Sequence, residues 1–346
     1  MTRPRRLRWA ALTLTAALAA CSPHHASTGG GATLAAVRRQ GYITCGASQG
    51  TVGFGAPDKN GYWRGLDVDT CRAVAAAVLG DKNKARFLPL SGDQRLVALQ
   101  TGQVDLLPRT FTWTLTRDAS GINFTIPNYY DYVGFLAPKS LGASSPKGLK
   151  DASVCLQSGE STAAVLERIS ETDHLHIRPV IFDNVQATRA AFFAGRCDAL
   201  VTDASALASV RATLAKNPSD YVIFPATDEV EALTPAVRQG DDQWFDIVKW
   251  SFEAMLTAEE LGITQANVDE MRNSKDPRVR RFLGVDPGNG KALGLDEAWA
   301  YRIIKQVGNY GEVFDRDVGK DSPLKIDRGL NRLQRDGGLM VPLPFE

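Results

Sequence analysis

The stretch Thr110–Asp118 reads T-F-T-W-T-L-T-R-D and directly follows an apolar, strand-like run, Val104–Leu107. It offers threonine hydroxyls, backbone N–H groups and one guanidinium at the carboxyl end of a strand, where ligands bind in open α/β sheets. A planar guanidinium pairs with a carboxylate through two parallel bonds. We therefore expect Arg117 to bind the α-carboxylate of a free amino acid, with Thr110 and Thr112 as further donors. Spacing alone is equally compatible with a solvated loop in which Arg117 pairs with Asp118.

Strand and helix patterns alternate on both sides of this stretch. Before it, strands are predicted at Tyr42–Gly46 and Arg86–Leu90, and helices at Leu66–Leu79 and Gln94–Thr101. This order predicts a doubly wound sheet. A similar alternation in the second half begins with a strand at Ser153–Leu156, and an amphipathic helix is predicted at Leu324–Leu333 near the end of the chain.

The second half supplies the expected partner of Arg117. Asp203 follows the predicted strand Ala199–Val201 and is expected to bind the ammonium group of the same amino acid. Alternatively, Asp203 is the N-cap of the helix predicted at Ser205–Leu214. Hydroxyl and backbone donors follow another strand, in front of a helix N-terminus that favours anions: Gly159, Ser161 and Thr162. Capping alone would also explain the two hydroxyl residues.

A glycine-rich loop, Ser48–Pro57, follows the first strand. Phe54 within it is expected either to line the pocket or to anchor the loop in the lobe. The loop glycines do not follow the G-x-G-x-x-G pattern, so a dinucleotide site is not expected. No cofactor is predicted.

The first residues are typical of an export signal. Residues 1–20 combine a cluster of arginines with a short apolar run, and Leu18–Cys21 reads L-A-A-C, which resembles the site at which bacterial lipoproteins are cleaved and lipidated on cysteine. We expect lipidation of Cys21, residues 21–33 as a flexible tether, and a periplasmic, membrane-anchored protein. The alternative is ordinary cleavage near Ala20, which releases a soluble protein.

Charge and cysteine usage exclude several classes of protein. The formal net charge of +1 gives no basic surface for nucleic acid. With Cys21 set aside, four cysteines remain, an even number that favours disulfides in an exported protein. Three pairings are possible, and we favour Cys45–Cys71 and Cys155–Cys197 because each lies within one half. No pair has the C-x-x-C spacing of a zinc site, so no metal is expected.

Several runs resemble the periplasmic polar amino-acid-binding proteins of ABC importers (extracellular solute-binding proteins of family 3), especially the general L-amino-acid-binding branch. They include G-L-D-V-D-T-C-R (Gly65–Arg72), T-W-T-L-T-R-D (Thr112–Asp118) and P-A-V-R-Q-G-D-D-Q-W-F-D-I-V (Pro235–Val248). The resemblance implies a two-lobed periplasmic-binding-protein fold of type II, with two crossings between mixed α/β lobes. It implies one lobe from residues 34–136 and 235–346, and another from 137–234. A monomer that delivers amino acids to a membrane permease is expected.

Departures from the family pattern bear on the ligand. Thr110 and Phe111 stand where Asn-Thr is usual, and Glu160 stands where a small hydroxyl residue is commoner. These changes favour uncharged polar or broad-range amino acids over strict glutamate specificity. The alternative function is an enzyme resembling cyclohexadienyl or arogenate dehydratase, which needs a neutral general acid in the cleft. Glu160 is the candidate for that role; otherwise no enzymatic activity and no catalytic residue are expected.

Overall fold

The computed structural model describes residues 31–346; the predicted signal peptide, Cys21 and most of the tether lie outside this range. Within it the strands are β1 Ile43–Ala47, β2 Ala56–Pro57, β3 Trp63–Arg64, β4 Ala85–Pro89, β5 Ile122–Phe124, β6 Tyr129–Asp131, β7 Val133–Pro138, β8 Ser153–Gln157, β9 Arg178–Phe182, β10 Ala199–Asp203, β11 Tyr221–Pro225, β12 Glu231–Leu233 and β13 Ala236–Arg238.

The helices of the same range are α1 Ala32–Gln40, α2 Leu66–Leu79, α3 Gly92–Gln100, α4 Leu115–Asp118, α5 Thr162–Thr172, α6 Val185–Phe193, α7 Ala204–Thr213, α8 Asp242–Glu260, α9 Val268–Met271, α10 Pro277–Phe282, α11 Asn289–Leu293, α12 Trp299–Gln306 and α13 Tyr310–Asp317. None of these helices has the length and apolar character needed to cross a bilayer.

The first lobe is built on a short mixed sheet. β1 pairs in parallel with β4, and β5 pairs antiparallel with β13. The segment predicted as a strand at Val104–Leu107 connects the two pairs through single bridges, Leu106 to Cys45 and Leu107 to Ala236. It therefore delivers the chain to Thr110 as expected, although it is not a continuous strand.

The second lobe is a five-stranded sheet in the order β11-β7-β10-β8-β9. β8, β9 and β10 run parallel, whereas β7 is antiparallel to both of its neighbours. Because β8 and β10 are adjacent and parallel, Glu160, in the loop after β8, and Asp203, the last residue of β10, lie at the same edge of the sheet.

Two strands connect the lobes. β6 and β12 pair antiparallel, with Asp131 directly opposite Glu231. β7, which follows β6, already lies in the sheet of the second lobe, so the chain passes from the crossing strand into that sheet within residues 131–133. The lobe boundaries after residues 136 and 234 stay a prediction.

Separate apolar cores support the lobes, as the two-lobed fold requires. The core of the first lobe includes Trp244 and Trp299 and extends into the C-terminal helices. Both faces of the five-stranded sheet are covered, one around Phe135 and Val154 and the other around Leu200. Each lobe is also crosslinked by the disulfide that the sequence predicted, Cys45–Cys71 and Cys155–Cys197.

Two predictions at the ends of the chain are corrected. The residues Leu324–Leu333 do not form an amphipathic helix; they contain only a short 3-10 turn, Gly329–Asn331, because Asn331 bonds to the crossing strand instead of continuing a helix. The predicted tether overlaps α1, which starts at Ala32; Asp241 accepts hydrogen bonds from the backbone N–H groups of Gly31 and Thr33.

Candidate functional site

A cavity lies between the two lobes and is lined by loops of the first lobe and by strand ends, helices and one loop residue of the second. The first lobe contributes Ser48, Thr51, Arg109 and Thr110. The second lobe contributes Gln157, Glu160, Thr162, Val185, Thr188, Arg189, Leu200, Val201, Thr202, Asp203, Ala206 and Val210. The sequence-predicted residues Thr110, Thr162 and Asp203 thus meet in one cavity.

Thr110 has an unusual backbone. Its φ is 38°, a left-handed value that is costly for a β-branched residue and persists only where the surroundings hold it. The carboxylate of Asp67, which is buried, accepts a hydrogen bond from the Thr110 N–H at 2.9 Å and another from Asn128 at 3.1 Å. These bonds fix the turn that presents Thr110 to the cavity.

Arg117 lies at the edge of the cavity rather than among its lining residues. It is in the short helix α4, which Thr114 caps. Its guanidinium packs over the Phe111 ring, 4.7 Å from the centroid. It donates to the carbonyl oxygens of Thr112 at 2.9 Å and Gly159 at 3.3 Å, so it spans the two lobes.

The two acceptors of Arg117 are uncharged carbonyl oxygens, so neither supplies a negative charge to balance the guanidinium. Burial lowers the pKa of Arg117 to about 10, and repulsion from Arg95 adds to this; the charges of Glu160 and Asp203 act in the opposite direction. The alternative arrangement, in which Arg117 pairs with Asp118, is not formed. Arg117 and Asp203 are therefore close enough for the charge of one to act on the other across the cleft.

Glu160 points into the cleft and forms ion pairs with two arginines of the first lobe. Its carboxylate is 2.8 Å from Arg95 Nη2 and 3.3 Å from Arg109 Nη1. Burial alone would raise the pKa of Glu160, but Arg95, Arg109 and Arg117 overcome that effect and lower it to about 2. Glu160 is thus ionised and does not supply the neutral general acid that a dehydratase needs.

Three acids meet at the other side of the cleft: Asp131, Asp203 and Glu231. We call them the acidic cluster. Asp203 ends β10 and occupies the N-cap position of α7, but its side chain makes no capping bond. Burial raises the pKa of Asp203 well above its usual range, and the neighbouring charges of Glu231 and Asp131 raise it further. Two members of the cluster belong to the crossing strands β6 and β12.

The other two acids are held by hydroxyl groups. Asp131 accepts from the backbone N–H and the hydroxyl of Ser205, and burial raises the pKa of Asp131 to about 6. Glu231 accepts from the Ser161 hydroxyl at 3.0 Å; burial raises its pKa as well. A positive group placed here would convert three competing acids into counter-ions.

The predicted hydroxyl residues lie where the lobes meet. Thr112 Oγ1 is 3.2 Å from Ser161 Oγ across the cleft. Thr162 is buried, and its hydroxyl has no hydrogen-bond partner among the described residues. Gly159 has φ +72°, and a Cβ on it would lie 2.3 Å from Asp93 Oδ1 and 2.7 Å from Asp93 N. A side chain at 159 would therefore prevent this approach of the lobes.

Phe54 was expected as a possible wall of the pocket, and that expectation is wrong. The side chain is fully buried in the core of the first lobe, where its ring packs edge-on against Tyr129 at 5.1 Å. An aromatic ring in a loop is stabilised most by burial against other rings. Phe54 anchors the glycine-rich loop, which was the alternative.

Comparison with known proteins identifies the family. The family of bacterial extracellular solute-binding proteins, family 3, matches residues 43–267. The chain belongs to this family.

Two curated relatives of this family 3 protein cover almost its whole length. It is 49% identical over 322 residues to the general L-amino acid-binding periplasmic protein AapJ of Rhizobium johnstonii, covering 92% of this chain and 94% of that relative. It is 46% identical over 315 residues to the glutamate/glutamine/aspartate/asparagine-binding protein BztA of Rhodobacter capsulatus, covering 90% and 93%.

Among solved structures, a periplasmic binding protein from Brucella ovis with glutathione bound superimposes with a TM-score of 0.88. It is 45% identical to this family 3 protein, and the match covers 91% of this chain and 99% of that one. The agreement extends over both lobes and the C-terminal helices, so the fold is the two-lobed type II fold.

Sequence reasoning missed three functional candidates of this family 3 protein: Arg109, Arg189 and Glu231. Arg109 precedes Thr110 at the end of the same apolar run, and this position was a usable signal. Glu231 begins the returning crossing strand, where an acid in an apolar segment is a weaker signal. Arg189 is in the middle of α6 and contacts a loop 139 residues earlier, so nothing local in the sequence indicates its role.

Proposed function

We propose that this chain is the extracytoplasmic binding component of an ABC importer and captures free L-amino acids, polar or of broad range, in the cleft between its lobes. The observation that carries the proposal is the placement of opposite charges on the two sides of one cleft. Arg117 and its neighbouring hydroxyls lie on the first lobe, and Asp203 lies on the second. The names of the relatives AapJ and BztA support the amino-acid class.

The ligand is a zwitterion, and each end has a matching group. Arg117, Thr110, Thr112 and the donors of residues 159–162 bind the α-carboxylate through charge-assisted bonds, which are about twice as strong as neutral ones. Asp203 loses its proton and binds the ammonium group, with Glu231 beside it.

Closure couples binding to transport. Because the two charged ends are bound by different lobes, the ligand contacts both only in the closed form, and it shifts the population toward that form. The permease then recognises the closed shape. The ion pairs of Glu160 with Arg95 and Arg109 stabilise the closed form without contacting the charged ends of the ligand.

A screen of the twenty L-amino acids by thermal shift identifies the ligand, since a binder stabilises the folded protein by mass action. Calorimetry on the best ligand then tests the site. Arg117→Ala and Asp203→Ala are each expected to lose at least ~2–3 kcal/mol of binding free energy, because each leaves a buried charge unpaired. Matched controls are Arg168→Ala and Glu229→Ala, which remove an exposed ion pair of the second lobe. Native affinity in either site variant would refute the assignment.

The proposal includes membrane attachment. Cys21, which lies outside the described residues, is lipidated and holds the mature monomer at the membrane of the periplasm. The wild type is expected to incorporate a labelled fatty acid. The Cys21→Ser variant is expected to be released from the membrane in soluble form. Unchanged membrane retention of the Cys21→Ser variant would contradict it.

A further inference from the structure

Arg189 differs from the other arginines of the cleft in its surroundings. It extends from α6 of the second lobe into the cavity. It donates to the carbonyl oxygen of Gly50 at 3.0 Å and to Thr51 Oγ1 at 3.2 Å, both on the first lobe. Both acceptors are neutral, and within residues 31–346 no carboxylate oxygen lies within 4.0 Å of its guanidinium.

The other arginines of the cleft have acids nearby, whereas Arg189 has none among the described residues. Arg95 and Arg109 share the carboxylate of Glu160, and acids act on Arg117. Burial lowers the pKa of Arg189 to about 10, the positive charge of Arg109 adds to the effect, and no acid opposes it. A buried cation without a counter-ion is costly, so this end of the cavity favours an anion.

The position of Arg189 separates it from the amino-acid end of the site. Asp203 lies at the carboxyl end of β10, next to the crossing strands, whereas Arg189 contacts the loop after β1. A second polar group supports an acceptor-rich ligand here: Gln157 lines the same cavity, and its buried Nε2 has no hydrogen-bond partner among the described residues.

We propose that Arg189 binds a carboxylate of the ligand that is remote from its ammonium group. The inference rests on the proposed function and narrows it to amino acids or small peptides with a second carboxylate. The sequence suggested that Glu160 disfavours acidic ligands. In the structure its negative charge faces Arg95 and Arg109, so it does not repel a second carboxylate. A side-chain carboxylate of a dicarboxylic amino acid and the C-terminal carboxylate of a γ-glutamyl peptide share this chemistry.

Calorimetry with L-glutamate, L-glutamine and reduced glutathione tests the proposal on the wild type, Arg189→Gln and Arg189→Lys. Arg189→Gln keeps a donor for Gly50 and Thr51 but removes the charge. Glutamate and glutathione each carry a second carboxylate. For whichever of the two binds the wild type, we expect Arg189→Gln to raise the dissociation constant at least ~30-fold, as for a buried charge that loses its partner. Glutamine binding should fall by a clearly smaller factor, and Arg189→Lys should recover part of the loss.

The matched control is Arg168→Gln, which removes the same charge from an exposed position of the same lobe and should leave every affinity unchanged. If Arg189 acts only by holding the lobes together, Arg189→Gln weakens glutamate, glutathione and glutamine equally, and that result would overturn this inference alone. A wild type that binds none of the twenty amino acids and no glutathione would overturn the proposed function together with it.

Discussion

The ion pairs of Glu160 give the sharpest test of how closure is stabilised. Glu160→Gln keeps the shape of the side chain and removes the charge that faces Arg95 and Arg109 across the cleft. In the closed form two buried guanidiniums would then lose their counter-ion, whereas in an open form water solvates them. The substitution is therefore expected to favour the open form.

The size of the effect follows from the charge environment of the carboxylate. Its pKa of about 2 in the closed form lies below the usual 4.5, a difference equivalent to ~3 kcal/mol in favour of the ionised form. The side chain keeps 18% exposure, so water screens part of the interaction. We expect a net cost of ~2–3 kcal/mol, which is roughly a 30- to 150-fold shift toward the open form.

Because closure is part of binding, the same factor appears in the dissociation constant of a neutral amino acid, measured by titration calorimetry. Ser158→Ala is the control, since it removes an inter-lobe hydrogen bond of the same loop, to Asp93 Oδ2 at 2.6 Å, that is exposed to solvent; its effect should stay within the ~1 kcal/mol of an ordinary hydrogen bond. A Glu160→Gln protein that binds with native affinity would show that the ion pairs do not hold the lobes together.

Three further predictions follow from buried groups. Ligand binding should release a proton, because Asp203 has a raised pKa without ligand and is ionised beside an ammonium group. The affinity for the ligand should therefore fall as the pH falls through that raised pKa. Calorimetry in buffers of different ionisation enthalpy should detect the released proton in the wild type but not in Asp203→Asn. Burial raises the pKa of Glu253 to about 7 from 4.5, so its ionisation destabilises the fold increasingly as pH rises from 4.5 through 7. Glu253→Gln, whose amide oxygen can still accept from the Leu343 N–H, should raise the unfolding free energy by ~1–3 kcal/mol at pH 8 and by nothing near pH 4; equal denaturant midpoints at pH 8 would contradict this. Replacing Cys155 and Cys197 by alanine should cost ~4 kcal/mol for a crosslink across 42 residues, and an unchanged thermal midpoint would show that the crosslink adds no stability.

Much of the fold could be read from the sequence because local patterns determine it. The alternation of strands and helices, the even set of cysteines and the apolar run before Thr110 all depend on neighbouring residues. Leu324–Leu333 has helical periodicity, yet Asn331 exchanges two hydrogen bonds with the backbone of Tyr130. A contact with a residue two hundred positions earlier overrides local propensity.

The site was predictable where it sits at strand ends and was not where it depends on closure. Asp203 ends β10 and Thr110 follows the apolar run Val104–Leu107, so local patterns in the sequence indicate where both residues lie. Arg189 and Glu160 acquire their partners only when the second lobe meets the first, and Phe54 was misplaced because a loop residue gives no sign of the ring that covers it.

The segment after residue 267, where the family match ends, packs against β6, one of the two strands that connect the lobes, and supports it. Phe314 stacks on the Tyr129 ring at 6.1 Å, Tyr310 donates to the carbonyl oxygen of Asn128, and Asn331 bonds both backbone groups of Tyr130. A shortened protein that ends at the family core would leave this crossing unsupported. Its lobes would swing through a wider range of angles, so fewer of its encounters with a ligand would end in the shape that a transporter accepts.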